Sequence, residues 1–382
     1  MLKDKTAIVG IGQTAFGQGL EDSELSLACQ AIAMALDDCG IAPAEVDGLA
    51  SFTLEPSREV DVARSVGLGE ITFFSQVGFG GGAGCGVVTH AAMAVATGQA
   101  DVVVAWRARK RASKASRPWA NVPTRIEDSG QWSRPWGLLR PVDEISVLMR
   151  RYMHEYGATR DHLANVALAF RKHANRNPNA TMYERTLTRD EYMNSRWISE
   201  PLCLFDNCLE TDGALAVVVV SAERAKDLPH PPAYIHSAAQ GIPPQHNVMT
   251  NYFNDDPLMG PSWAAAKLLW RHSDFKPADI KVAQIYDAFS PLIPFSLEGY
   301  GFCERGEGAA FTDDGALEWP DGRLPTNTSG GGMSEAYVHG FNLVLEGVRQ
   351  IRGTSTSQVE GADVSLVTSG ECVPTSALLL RK

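Results

Sequence analysis

The chain has 382 residues, 44% of them hydrophobic and 21% charged, a globular composition long enough for two domains or one duplicated unit. Its net charge of −11 excludes a general binder of nucleic acid or of anionic membranes, and no run approaches the ~20 apolar residues that span a bilayer. Its seven cysteines are odd in number and show no zinc-ligand spacing, so a structural metal is not expected and a reducing compartment is. The opening MLKDKTAIVGIGQ has too short an apolar run for a secretory leader, which predicts a cytoplasmic protein.

Lys5 to Gly12 reads as a strand ending in glycines, and Leu25 to Cys39 as an apolar-rich helix stopped by Gly40. A glycine-rich turn, Gly80 to Gly84, leads into an Ala-rich helix from Thr89 to Thr97 and a buried strand from Asp101 to Trp106. A long irregular insert follows, roughly residues 110–202, rich in Arg, Trp and Pro. Asp212 to Ser221 is then a buried strand after a turn. A second cycle holds a helix from Trp263 to Trp270, a strand from Val282 to Tyr286, a helix from Phe341 to Ile351 stopped by Gly353, and a strand from Val364 to Thr368. The two cycles resemble each other. GIAPAEV at 40–46 matches DFKPADI at 274–280, and ADVVV at 100–104 matches ADVSL at 362–366. This pattern predicts a duplicated α/β unit, with halves at 1–228 and 229–382, although convergent helix-stop chemistry would leave a similar trace.

Several residues stand out chemically. The glycines at 80–84 either admit a thioester oxygen to backbone N–H groups or let a helix approach a sheet closely. Gly331 and Gly332 in the NTSGGG run have the same two readings. Neither run has the spacing of a nucleotide phosphate loop. Arg107, Arg109, Lys110, Arg111, Lys114, Arg117 and Arg125 form a basic run whose default reading is a solvated loop. Trp119, Trp132 and Trp136 either wall an apolar pocket or anchor a loop or partner surface.

The DGALAVVVVS strand, NTSGGG near the C-terminus, FGGGAGCGVVTH at 79–90, NSRWISEPL at 194–202, YDAFS at 286–290 and SEAYVHGFN at 334–342, in this order, resemble the thiolase superfamily over nearly the whole chain. Within it they look closest to the sterol-carrier and lipid-transfer branch and to its actinobacterial steroid side-chain-cleaving aldolases. The resemblance implies a five-layered αβαβα fold with a loop-domain insertion. It places Gly81 where a thiolase has its nucleophilic cysteine at a helix start. Tyr286 and Tyr337 stand where thiolases have histidines, Tyr337 being the eleventh residue counted from Asn327. Cys372 lies near the place of the C-terminal proton-shuttling cysteine. Cys85, four residues past Gly81, reads as a packed helix cysteine.

Without Cys and His, Claisen chemistry through an acyl-enzyme is excluded, whereas two phenols still move protons and stabilise oxyanions. The resemblance therefore implies retro-aldol cleavage of a β-hydroxy steroid CoA thioester to a 17-ketosteroid and propionyl-CoA. Tyr286 and Tyr337 would be catalytic, with His339 and Asp287 as secondary candidates. Gly81, Gly82, Gly331, Gly332 and Arg109 would face the CoA ester. The thioester is substrate, and no cofactor is implied. The implied partners are a second copy of the chain and an OB-fold and zinc-ribbon-type subunit from an acyl-CoA hydratase. The rival expectation is a catalytically inactive acyl-CoA or lipid carrier on the same fold.

Overall fold

The computed structural model describes residues 2–111 and 128–382, so Lys114, Arg117, Trp119 and Arg125 lie outside the described residues. The first half of the core contains β1 (Thr6–Gln13), α1 (Glu24–Cys39), β2 (Gly48–Phe52), α2 (Glu59–Val66), β3 (Phe73–Val77), α3 (Gly84–Ala96) and β4 (Val102–Arg109). Next come α4 (Pro141–Tyr156), α5 (Arg160–Ala174), α6 (Arg189–Met193) and the ribbon of β5 (Trp197–Ser199) and β6 (Leu202–Cys203). The chain returns to the core through β7 (Gly213–Ser221). It continues through β8 (Ala233–Gly241), α7 (Pro261–Arg271), β9 (Val282–Gln284), α8 (Leu292–Gly299), α9 (Gly331–Ser334), α10 (Phe341–Arg352), β10 (Val364–Thr368) and β11 (Thr375–Arg381).

Nine strands form one sheet in the order β3-β2-β4-β7-β1-β8-β11-β10-β9. Outward from β1 the pairings run antiparallel to β7, antiparallel to β4 and parallel to β2. Outward from β8 they repeat as antiparallel to β11, antiparallel to β10 and parallel to β9. The two series meet where β1 and β8 pair over only two residues on each strand. The matched heptapeptides carry equivalent one-turn helices at 43–45 and 277–279, each leading into the next strand of its series. Helix α3 packs against strands of both series, α1 covers β1 and β7, and α7 covers β8 and β11, giving the five alternating layers.

Local chemistry explains these elements. Ser23 caps α1 by accepting from the Ser26 N–H, and Gly40 ends it in the left-handed conformation. Its buried face, Leu27, Ala28, Ala31, Ile32, Ala35, Leu36 and Cys39, follows the helical period and lies on β1. The close approach needs Gly12, where a Cβ would lie 2.6 Å from the Ala35 nitrogen and closer still to the Ala31 carbonyl oxygen. Among the described residues no helix is long and apolar enough to cross a membrane.

Three expectations need correction. The described part of the region 110–202 is not irregular, because α4 and α5 are 16- and 15-residue amphipathic helices. Pro141 at the first position of α4 and Gly157 just beyond it are ordinary start and stop signals, obscured by the Arg- and Trp-rich composition around them. Helix α3 begins at Gly84, five residues before the expected start, because tertiary packing stabilises a glycine-rich first turn that propensity disfavours. Arg107 and Arg111 do not belong to a solvated loop, since both are buried.

Candidate active site

Tyr286 follows β9 on a segment braced from two sides. The Asn327 side chain accepts from the Ile285 N–H at 2.7 Å and donates to the Ile285 carbonyl at 2.7 Å, pairing like a short length of strand. The Tyr286 N–H donates to Thr368 Oγ1 on β10 at 3.1 Å. Asn327 has a φ of +52°, a left-handed backbone that Asn tolerates better than most residues. Tyr337 follows α9, and its N–H donates to Thr211 Oγ1 at 3.1 Å. The two tyrosines, 51 residues apart in sequence, join hydroxyl to hydroxyl by a short hydrogen bond, with ring centroids 6.1 Å apart. Both are buried.

Gly81 completes the arrangement. It lies in the tight turn 80–82 before α3, and its carbonyl accepts from the Gly370 N–H at 2.9 Å. A Cβ on Gly81 would lie 2.7 Å from Tyr286 Cε2 and nearer still to Cζ and the hydroxyl oxygen. The Tyr286 phenol thus fills the space that a side chain at position 81 would enter. Glycine there follows from the space that the tyrosine takes.

The other expected residues divide into two groups. Gly81, Tyr286, Tyr337 and His339 line one cavity of about 400 Å³, whereas Gly82, Asp287, Gly331, Gly332 and Arg109 are not on its wall. A Cβ on Gly82 would lie 2.9 Å from Val373 Cγ2, so that glycine serves close packing. Asp287 accepts from the N–H groups of Gly332 at 2.8 Å and Met333 at 3.1 Å, capping the first turn of α9. Burial pushes its carboxyl up to about 7 against the pull of those N–H groups. Gly331 makes room for the cap, since a Cβ there would lie 2.7 Å from Asn327 Nδ2 and closer to the Asp287 carboxylate. Arg109 donates to the Leu54 carbonyl at 3.2 Å.

Helix α5 and the turn that follows it brace this glycine loop from behind. Arg171 Nε donates to Ser334 Oγ at 3.0 Å, His173 Nδ1 meets the Asn327 carbonyl at 3.2 Å, and Asn177 Nδ2 donates to the Ser329 carbonyl at 3.1 Å. Pro141 and Val142 at the start of α4 line the cavity. The inserted helices therefore build the site as well as cover it. Trp132 and Trp136 are exposed and do not wall the cavity.

Burial raises both phenols above the ordinary tyrosine range, Tyr286 strongly. Their hydrogen bond acts oppositely on the two, raising Tyr286 and lowering Tyr337. His339 has a φ of +53° and stands edge-on to the Tyr337 ring with centroids 5.6 Å apart. Burial and then the charges of Arg111, Arg107 and Arg109 push His339 well below its usual range, so its imidazole is neutral. Cys85 and Cys208 are pushed up to about 12 by burial, and Cys372 is raised well above the thiol range. None is a ready thiolate at neutral pH.

Cys208, Glu371 and Met249 line the cavity without having been singled out. Each lies outside a recognisable local pattern, and only the folding of distant loops gathers them. Most of the remaining wall is apolar, including Leu54, Phe79, Leu209, Val248, Phe289 and Leu292.

The thiolase C-terminal domain-like family model matches residues 248–379. Over its full length the chain is 47% identical to the 17-hydroxy-3-oxo-4-pregnene-20-carboxyl-CoA lyase of Mycobacterium tuberculosis, with 100% of each chain covered. The chain belongs to the thiolase superfamily. A steroid side-chain-cleaving aldolase of Thermomonospora curvata is also 47% identical, with 100% of this chain and 98% of the relative covered. A solved Ltp2–ChsH2(DUF35) aldolase superposes with a TM-score of 0.94 at 47% identity, covering 100% of this chain and 98% of that one. In this chain the site brings two buried phenols together beside a glycine at position 81.

Proposed function

We propose that the chain is a carbon–carbon lyase that cleaves the side chain of a β-hydroxy steroid CoA thioester of the 17-hydroxy-3-oxo-pregnene-carboxyl-CoA type. The products are a 17-ketosteroid and propionyl-CoA. The observation that carries this reading is the joined pair of hydroxyls from Tyr286 and Tyr337 on the wall of an apolar cavity, packed into the space vacated at Gly81. The cavity's size falls within the range of small-molecule sites, and its wall suits a fused-ring hydrocarbon. The full-length relatives named for this lyase and aldolase activity support the same substrate class.

The proton chemistry closes on the pair. Tyr337, the more acidic of the two, reacts as its phenolate, whose oxygen takes the proton of the C17 hydroxyl. The C17 oxygen becomes a ketone, the C17–C20 bond breaks, and its electrons form the thioester enolate. Tyr286 donates its proton to C20, giving propionyl-CoA, and the proton on Tyr337 crosses the shared hydrogen bond to restore the pair. No acyl-enzyme is formed. His339 and Asp287 act as positioning groups, the first beside Tyr337 and the second through the α9 turn.

The two halves, 1–228 and 229–382, form the catalytic chain of a homodimer that joins a DUF35-type partner with an OB-fold and zinc ribbon. The solved aldolase complex with ChsH2(DUF35) supports that partnership. The test is to incubate the purified chain, with and without such a partner, with 17-hydroxy-3-oxo-pregnene-carboxyl-CoA. The expected result is equimolar 17-ketosteroid and propionyl-CoA, faster with the partner. Binding of the ester without release of either product would make the chain a carrier and overturn the proposal.

A further inference from the structure

Strand β4 ends in arginines at alternate positions, Arg107 and Arg109, and Arg111 follows two residues on, so the chain carries a basic stripe inward rather than out to solvent. Arg107 and Glu55 form a wholly buried ion pair at 3.3 Å. That carboxylate is further held by Ser57 Oγ at 2.6 Å and the Ala108 N–H at 2.8 Å. Arg107 Nη2 also meets His339 Nδ1 at 2.6 Å, while Arg111 Nη2 meets Nε2 on the opposite side of the same ring. The neutral imidazole is a wedge between two guanidiniums. The Arg111 N–H donates to Asp212 Oδ1 at 2.6 Å, which fixes the backbone at the point where the arginine turns inward. Arg111 Cζ then lies 5.3 Å from the centroid of the Tyr337 ring, on the cavity wall.

We propose that Arg111 is a positioning residue of the cleavage reaction, whose guanidinium supplies the positive charge that stabilises a phenolate on Tyr337, with His339 and Arg107 holding it in place. The proposal rests on the aldolase reading and adds to it the source of the base's strength. A buried phenol is a poor base because its ionised form lacks solvation, and a fixed cation beside the ring replaces the missing water. Among the described residues the titratable groups that act on Tyr337 are Tyr286 after β9, Asp287 on the same loop, Cys208 ahead of β7, His339, Arg111 and Arg109. Of these, Arg111 and Arg109 are cations, and the Arg111 guanidinium lies against the Tyr337 ring. Asp287 and Cys208 oppose ionisation, and His339 is neutral.

The test measures kcat and KM against pH for the wild-type complex and for Arg111→Lys and Arg111→Met. Loss of the charge should lower kcat at pH 7 by about 100-fold or more, since each unit of pKa is tenfold in the ionised base, with KM changed less than about threefold. Lysine should stay within about tenfold of wild type. The deficit of the methionine variant should shrink as the pH rises, because alkali replaces the help the guanidinium gave. Equal losses in the two variants, or a methionine deficit that is the same at every pH, would overturn the proposal. Arg111→Gln keeps a donor toward His339 and takes the place of Met if that variant does not fold. Failure of the wild-type complex to cleave the ester would instead count against the aldolase reading itself, so the two failures are distinguishable.

Discussion

Replacing Gly81 by alanine tests the link between the missing nucleophile and the phenol pair. The new methyl would sit 2.7 Å from Tyr286 Cε2 and nearer to Cζ and the hydroxyl, so the ring must swing away. Its retreat is blocked on another side, where Gly340 is already so close that a Cβ there would lie 2.6 Å from Tyr286 Cδ2. Overpacking a buried site costs about 1–3 kcal/mol, and the lost hydroxyl–hydroxyl bond adds about 1 kcal/mol. Gly81→Ala should therefore lose about 2–4 kcal/mol of stability and, with the phenol displaced, about 10²–10⁴-fold in kcat. Tyr286→Ala alone should also destabilise, by about 3–5 kcal/mol, because it leaves a cavity. Together the two should cost less than their sum by about 1–3 kcal/mol, since the alanine methyl then occupies vacated space. Denaturant unfolding of the four proteins and steady-state cleavage rates supply the measurements. Strict additivity, or a Gly81→Ala enzyme within a few-fold of wild type, would refute the idea that Tyr286 occupies the nucleophile's place.

Tyr337→Phe keeps the ring and its packing, so stability should fall by only about 1 kcal/mol while turnover drops about 10²–10⁴-fold with little change in ester binding. Tyr286→Phe should behave alike, and the double variant should lose less than the product of the two losses if one proton relay uses both; rates and an independent binding assay would show it. Intact mass after incubation with the CoA ester should reveal no thioester adduct, since burial holds Cys85 at about 12 and Cys372 above the thiol range; a stable adduct on either would defeat the non-covalent scheme. Burial pushes Glu144, Asp287 and Glu335 up to about 7 and Glu371 to about 8. These folded values exceed the unfolded ones near ~4, so at these four carboxyls the folded state binds more protons and their contribution to stability falls as pH rises from about 4 to 8. The thermal midpoint of the wild type relative to Glu371→Gln should be higher at pH 5.5 than at pH 8.

Much of the architecture was legible along the chain because its signals are local. Val364–Thr368 was readable to the residue, and Gly40 and Gly353 mark helix ends where both adopt the left-handed conformation. The repeated heptapeptides correspond to equivalent turns before β2 and β9. The expected strand from Val282 to Tyr286 proved shorter, ending at Gln284. Beyond that point the Asn327 side chain, rather than a neighbouring strand, pairs with the Ile285 backbone, and the period of apolar residues cannot distinguish the two.

The sequence by itself determined that position 81 is a glycine with no side chain to attack a thioester, and its resemblance to thiolases implied that Tyr286 and Tyr337 stand where those enzymes carry histidines. Only the tertiary structure decided that the two hydroxyls touch, that the Tyr286 ring occupies the void at Gly81, and that Arg111 turns inward beside Tyr337. It also separated His339 on the cavity wall from Asp287 behind it, although they flank the two tyrosines in similar fashion. The physical reason is that a chemical role depends on burial and on charges a few ångströms away, and here those charges come from the end of β4 and from loops more than a hundred residues distant in the chain. A run of arginines reads as solvated from its composition. It becomes an internal source of positive charge only when Glu55, His339 and Asp212 fold around it to hold its guanidiniums and backbone in place.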